Sequence, residues 1–465
     1  MSRPGAAEPV AGRERAVRLI VPTLAGIASL ALALPFAVPA VADDIRGSEY
    51  WLEDYGITEA WKTTQGEGVT VAVIDSGVDG THPDLAGAVI AGTDVSGAGD
   101  PDGQRGLGEV PGHGTLVSTL LAGRGHTADA EPGAGSTGGP DEADATVSPA
   151  PTSPADPLSA VGKGPDGIVG VAPKADLLAI SVWIEGPGSG PNPAGIAVDE
   201  QVPRAVHWAV DNGADVINMS LGSTSTEWPE SWDEAFLYAE ENDVVIVAAA
   251  GNRAGGLTQV GAPATIPGVL AVAGLDRDGQ ASAEASSEGI SIAVAAPSEN
   301  LVGGLPGGLY ADWSGTSGAA PLVSGVAALI RSRYPDLTAE EVVNRIVDTA
   351  RDAGAPGFDT LYGYGVLDVA AAVNSDIEVP QESRLGSMAD WIQLYRRGSA
   401  PPATPPAAPD PAPQPVLTAP APPRAVEPED TTVLPSAVVL GFGGLMLVVI
   451  VAGGTHVHRV RKRTQ

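Results

Sequence analysis

The sequence predicts an α/β domain, a parallel sheet with helices on both faces, followed by a single C-terminal transmembrane helix. Three observations carry that expectation. Apolar, β-branched runs recur without polar alternation at residues 69–75 (VTVAVID), 215–220 (DVINMS) and 243–250 (DVVIVAAA). Strands buried on both faces read this way. Segments of helical spacing separate the runs, the alternation that crossover connections in a parallel sheet produce. Finally, no charge occurs between Thr431 and Thr455. At about 1.5 Å per residue that stretch crosses the roughly 30 Å hydrocarbon layer of a bilayer.

The elements follow in order. Residues 202–212 read as a helix stopped by Gly213. Ser231 opens another, with Glu234 three residues on completing a capping box. Thr338 and Glu341 repeat that signal for a helix reaching about Ala350. Two stretches break the pattern. Residues 124–167 are rich in Gly, Ala, Pro, Ser and Asp with no periodicity, and read as a disordered or loosely held insertion near the rim of the site described below. Residues 399–423 are dominated by Pro and Ala and favour an extended polyproline spacer of about 3 Å per residue. Between core and spacer, Leu385, Met388, Ile392 and Tyr395 fall at helical spacing. They suit a short helix docked on the core, or one that binds a partner.

The N-terminus has the form of a secretory signal. Arg3, Arg13, Arg15 and Arg18 precede an uncharged stretch from Leu19 to Ala42, and Ala40-Val41-Ala42 is an A-x-A cleavage site. Arg459, Arg461, Lys462 and Arg463 follow the C-terminal apolar stretch and stay cytoplasmic by the positive-inside rule. The two ends agree in placing everything between them outside the membrane. The formal charge of −32 repels nucleic-acid backbones. The absence of cysteine excludes a disulfide framework, a thiolate zinc site and a cysteine nucleophile. No cofactor or metal is expected, because Asp100-Pro101-Asp102-Gly103 reads as a solvated turn rather than as a ligand set.

Serine nucleophilic catalysis needs a base, a carboxylate that orients it, and donors for the oxyanion. Each has a candidate. Asp75 ends the first strand, where parallel sheets place ligands. His113 lies in Gly112-His113-Gly114-Thr115 at the start of helical periodicity; His82, in a loop near Asp75, is its rival. Ser317 lies in Gly315-Thr316-Ser317-Gly318-Ala319-Ala320-Pro321, at the head of an apolar helix whose free N–H groups favour a developing negative charge. Pro321 is read as lying in that helix's first turn, where its missing N–H has no intrahelical partner. Asn252, just past the end of the 243–250 run, is placed to donate to an oxyanion. Taken singly, each of these residues has an ordinary structural reading: a turn aspartate, a core histidine, a serine N-cap, a turn asparagine.

The segments VAVIDSGVD, GHGTLVS, NMSLGS, AAAGN, GTSGAAPLVSGVAALI and YGYGVLD together resemble the signature segments of subtilisin-like serine peptidases, in the chain order Asp…His…Ser. The resemblance implies a subtilisin-like sheet and an endopeptidase. It assigns Asp75, His113 and Ser317 to a triad and Asn252 to the oxyanion site. It also implies that Ser220, Leu221 and Gly222 form an edge pairing with an extended peptide substrate. The signal, the insert after the His motif, the Pro-rich spacer and the terminal span resemble mycosins, the membrane-anchored proteases of type VII secretion systems. That layout implies a signal peptide (1–42), a peptidase domain (43–378, insert 124–167), a short amphipathic segment (379–398), a Pro-rich linker (399–430), a transmembrane helix (433–455) and a basic cytoplasmic tail (456–465). An anchored subtilase outside secretion, or a mainly structural component of a secretion complex, fits the same layout. Gly318 departs from the pattern, since the family usually has Met after the nucleophile and mycosins an aromatic residue.

Overall fold

The computed structural model describes residues 42–127, 164, 166–185 and 188–396. In chain order its strands are β1 (Thr70–Asp75), β2 (Val89–Asp94), β3 (Arg124–His126), β4 (Asp166–Val169), β5 (Asp176–Ser181), β6 (Val216–Met219), β7 (Val245–Ala249), β8 (Leu270–Leu275), β9 (Ile292–Pro297), β10 (Leu301–Leu305) and β11 (Leu309–Trp313). Seven of them form one sheet in the order β2-β5-β1-β6-β7-β8-β9, and every neighbouring pair is parallel. The continuous apolar runs are thus β1, β6 and β7, whose residues are almost all buried. Strands β3–β4 and β10–β11 form two antiparallel ribbons.

The helices are α1 (Ala42–Gly47), α2 (Trp51–Asp54), α3 (Ile57–Ala60), α4 (His113–Ala122), α5 (Val198–Asp211), α6 (Asp233–Glu241), α7 (Thr316–Arg333), α8 (Ala339–Thr349), α9 (Val369–Asn374) and α10 (Met388–Tyr395). Helix α7 packs along β6, β7, β8 and β9 and is buried on nearly every side. Its Gly and Ala content permits that close approach. A Cβ at Gly325, for instance, would lie 2.5 Å from Val171 Cβ. Among the described residues no helix is long and apolar enough to cross a membrane, and the expected transmembrane segment 433–455 lies outside them, as do residues 1–41 and 399–465.

Five expectations need correction. Pro321 is the sixth residue of α7, not part of its first turn. Its missing N–H frees the carbonyl of Ser317, four residues back, and that oxygen accepts a hydrogen bond from Ser220 Oγ at 2.9 Å. Ser231 does not cap α6, which begins at Asp233 after a short 3₁₀ turn. The Ser231 hydroxyl donates instead to Asp199 O, a carbonyl freed in the same way by Pro203 inside α5, and Glu234 pairs with His207. Helix α5 also starts at Val198, four residues before the expected start. The capping box of α8 forms as expected, with Thr338 and Glu341 exchanging both hydrogen bonds.

The remaining corrections concern the insertion. Its two ends are ordered as the β3–β4 ribbon, and residues 128–163 lie outside the description. A buried polar network holds the ribbon. Arg46 pairs with Glu49 (3.0 Å) and donates to Gly167 O, while Glu49 accepts from Val169 N–H. Asp84 accepts from Ile168 N–H, His126 Nδ1 and the Tyr310 hydroxyl. Burial, opposed by Arg46, drives the Glu49 pKa well above the usual carboxylate range. The base of the insertion is also not beside His113. Helix α4 separates them, and its ten residues span about 15 Å at 1.5 Å per residue. Replacing residues 128–163 with a short Gly/Ser turn is therefore expected to leave the thermal unfolding temperature unchanged, because loop closure depends weakly on length. Deleting 124–167 entirely is expected to lower it, by taking His126 from buried Asp84 and the Gly164, Asp166 and Gly167 carbonyls from buried Arg46, at about 1–3 kcal/mol per stranded group. Equal melting temperatures for the two deletions would show that the ribbon contributes nothing.

Helix α10 docks on the core as expected. Ser387 Oγ and Met388 N–H both donate to Glu240, Met388 is buried, and Arg396 pairs with Asp233 at 2.7 Å. Its inner face runs through buried Met388 and half-buried Trp391, which packs against Trp228 with the rings tilted by 46°, whereas Tyr395 is exposed.

Candidate active site

Every candidate residue lies at the carboxyl edge of the parallel sheet, on both sides of β1, where strand order reverses between β5 and β6. Crevices at such switch points are where α/β sheets bind ligands.

Asp75 closes β1 and is fully buried. Its Oδ1 accepts from Ser76 N–H at 2.7 Å and lies 2.8 Å from His113 Nδ1, with Oδ2 at 3.0 Å. His113 is the first residue of α4, which sits directly on the strand end. A Cβ at Gly114 would lie 2.3 Å from Gly77 O, and Gly114 N–H donates to Ser76 Oγ. The glycine after the histidine is there for that close approach. Burial opposes charging of the imidazole, but the charge and hydrogen bond of Asp75 together override it and raise the His113 pKa above its ordinary value. The His113 side chain keeps 23% of its surface exposed.

His82 behaves differently. It is buried, its Nδ1 accepts from Asp84 N–H, and its Nε2 contacts Leu309 O at 3.2 Å. Burial holds its pKa below the ordinary value, and it serves as a neutral structural group. His126 and His207 are likewise engaged, with Asp84 and Glu234.

Ser317 is the second residue of α7, in the turn whose N–H groups lack intrahelical acceptors. Its hydroxyl donates to Ser220 O at 3.2 Å, and Ser220 Oγ returns a bond to Ser317 O. This reciprocal pair ties the helix start to the end of β6. Ser220 is itself held by Asn218 Nδ2, and Asn218 by Ser324 Oγ. Leu221 and Gly222 follow, and among the described residues neither makes a backbone hydrogen bond. With Asp75, His113 and Ile184 they line a cavity of about 240 Å³. An extended chain laid along 220–222 finds open backbone groups there.

Asn252 follows β7. Its Oδ1 accepts from both Thr316 N–H (2.8 Å) and Thr316 Oγ1 (3.0 Å). The amide is therefore oriented with Nδ2 outward, beside Gly315. Gly315 has φ 149°, a conformation that favours glycine, and a Cβ there would lie only 3.0 Å from Asn252 Nδ2 and crowd the amide. Sequence reading left out Thr316, Ser76 and Asn218. The first two adjoin the candidates in Thr-Ser and Asp-Ser pairs, and that adjacency is the signal that marks them.

The chemistry available is acyl transfer: a hydroxyl at a helix N-terminus, an imidazole whose tautomer a carboxylate fixes, and an oriented amide donor. A serine-type peptidase is the class this arrangement defines. The profile of the Subtilase family matches residues 66–365, and the chain belongs to that family, the subtilisin-type serine endopeptidases. It is 34% identical over 375 residues to Mycosin-1 of Mycobacterium tuberculosis, covering 70% of this chain and 73% of that protein. It is 32% identical over 356 residues to fervidolysin of Fervidobacterium pennivorans, covering 71% of this chain and 44% of that one, so the chain spans less than half of fervidolysin's length. The crystal structure of MycP1 from the ESX-1 type VII secretion system matches with a TM-score of 0.53 at 30% identity, over 72% of this chain and 88% of that one. The chain is thus mycosin-like as well as subtilisin-like.

Proposed function

We propose that this peptidase cleaves internal peptide bonds with Ser317 as nucleophile, His113 as base and Asp75 as the group that orients the base. A peptide lies in extended form along Ser220, Leu221 and Gly222. The hydroxyl of Ser317 passes its proton to His113 Nε2 and attacks the carbonyl carbon. The oxyanion is received by Asn252 Nδ2 and the Ser317 N–H, the neighbouring Thr316 and Gly318 N–H groups being engaged with Asn252 Oδ1 and Gly315 O. The imidazolium then gives the proton to the leaving amine, and water repeats the sequence on the acyl-enzyme. The observation that carries this reading is the 2.8 Å contact between His113 Nδ1 and buried Asp75, which leaves Nε2 without a hydrogen-bond partner among the described residues.

We further propose that the catalytic domain stands outside the membrane, held by the 433–455 span, in association with a type VII secretion system. Its sequence layout and its likeness to Mycosin-1 and MycP1 support this. The test combines labelling and topology. A fluorophosphonate probe applied to intact protoplasts is expected to label the protein in a Ser317-dependent manner, and external protease to remove the labelled domain while sparing an epitope at Gln465. Absence of labelling on permeabilised cells would refute the catalytic reading. Labelling confined to permeabilised cells would refute the topology.

A further inference from the structure

Gly318 follows the proposed nucleophile, and its backbone does not have positive φ. Conformation therefore does not demand glycine there. Space does. A Cβ at Gly318 would lie 2.3 Å from Leu301 Cδ1 and 3.3 and 3.4 Å from Trp313 Cζ2 and Cη2. Gly303 repeats the pattern on β10, again without positive φ: a Cβ there would meet Leu116 Cδ2 at 2.8 Å and Trp313 Nε1 at 2.9 Å. Gly303 thus makes room for the indole directly, and Gly318 chiefly for the Leu301 side chain, with the indole close behind it.

That indole stands against His113. The ring centroids are 5.8 Å apart and the planes cross at 81°, an edge-to-face arrangement. The antiparallel register Leu301↔Trp313 brings Trp313 to this place. Leu116, one helical turn beyond His113, shares the packing. The indole N–H is buried without a hydrogen-bond partner, so packing rather than hydrogen bonding accounts for the residue. A pinned Nδ1 does not by itself fix the imidazole. The bond to Asp75 holds one atom, and the ring can still tilt about it. A rigid ring packed edge-to-face against the imidazole restricts that freedom, and sub-ångström placement is where proton-transfer geometry is won or lost.

We propose that Trp313 is a positioning residue for His113: seated in the space left by Gly303, the indole holds the imidazole so that Nε2 meets the Ser317 hydroxyl. This rests on the catalytic reading above. The experiment uses the full chain and a chromogenic tetrapeptide anilide, with Trp313→Ala, Trp313→Phe and Trp313→Leu. Trp313→Ala is expected to lower kcat about 10- to 100-fold while KM changes little. The low-field Nδ1 proton signal of His113 is expected to broaden or vanish. Trp313→Phe, which restores a flat ring, retains most of kcat, and Trp313→Leu, which restores bulk alone, does not. If Trp313→Ala fails to fold, the Phe and Leu variants decide. Unchanged kcat, a loss carried wholly by KM, or Leu rescuing as well as Phe overturns the inference. A wild-type protein that neither hydrolyses peptides nor takes a fluorophosphonate overturns the catalytic reading and this inference with it. Wild-type activity with an inert Trp313→Ala substitution overturns the inference alone.

Discussion

Ser317→Ala is expected to reduce peptide hydrolysis by about 10⁴-fold or more while leaving the fold intact. The Ser317 side chain makes one hydrogen bond, to Ser220 O at 3.2 Å, and the residue is only partly buried, so its loss opens no core cavity. The bond that ties the helix to β6 runs from Ser220 Oγ to the backbone oxygen of residue 317, and alanine keeps it. No neighbouring hydroxyl can substitute. Ser220 Oγ is committed to Asn218 and to that carbonyl, and Thr316 Oγ1 is committed to Asn252 and Gly251. What survives is the binding edge and the oxyanion donors, which sustain a small residual rate over water. Steady-state hydrolysis with matched melting curves is the measurement. Turnover above about 1% of wild type in a fully folded variant would remove Ser317 from the role of nucleophile.

The sheet and the site were legible in the sequence to different depths. β1, β6 and β7 could be read because each is buried on both faces, which leaves a continuous apolar run as its trace. Asp75, His113, Ser317 and Asn252 could be picked out because each sits at a strand end or helix start marked by glycine. What could not be read depends on partners far away in the chain. Pro321 and Ser231 were misplaced because a carbonyl without its helical partner is satisfied by a hydroxyl about 100 residues away in one case and 32 in the other. The ordered base of the insertion was missed because β3 and β4 have three and four residues, too few to show periodicity. Their order comes from Arg46, Glu49 and Asp84, on segments well before them. Trp313 gave no signal at all. Its meaning depends on two glycines and a histidine that only the packed ribbon brings together.

Asp75→Asn is expected to lower kcat by about 10⁴-fold and to move the acidic limb of the pH–rate profile to lower pH. Both effects follow from where the amide must point. Ser76 N–H donates to Oδ1 at 2.7 Å, so an asparagine keeps its oxygen there and places its NH₂ at the Oδ2 position, 3.0 Å from His113 Nδ1. Two carboxylate oxygens can only accept and so hold the proton on Nδ1, whereas the NH₂ offers Nδ1 a donor and stabilises the tautomer with the single imidazole proton on Nε2. The neutral ring then has no lone pair facing Ser317, and the wrong tautomer accounts for the rate loss. The pH shift follows from the charge. In the wild type, burial opposes the imidazolium, but Asp75 overrides it and raises the His113 pKa, so activity grows as pH rises through a value above the ordinary histidine range. Without the carboxylate only the effect of burial remains, and the pKa falls below the ordinary value. The same linkage bears on stability. The raised pKa stabilises the fold at pH below the ordinary histidine value, and that contribution is lost as pH rises through the folded-state value. Asp75→Asn should therefore lose stability mainly in acid. The measurements are kcat/KM and melting temperature across pH for wild type and variant. An acidic limb that stays in place or moves upward would mean that Asp75 does not set the protonation of His113.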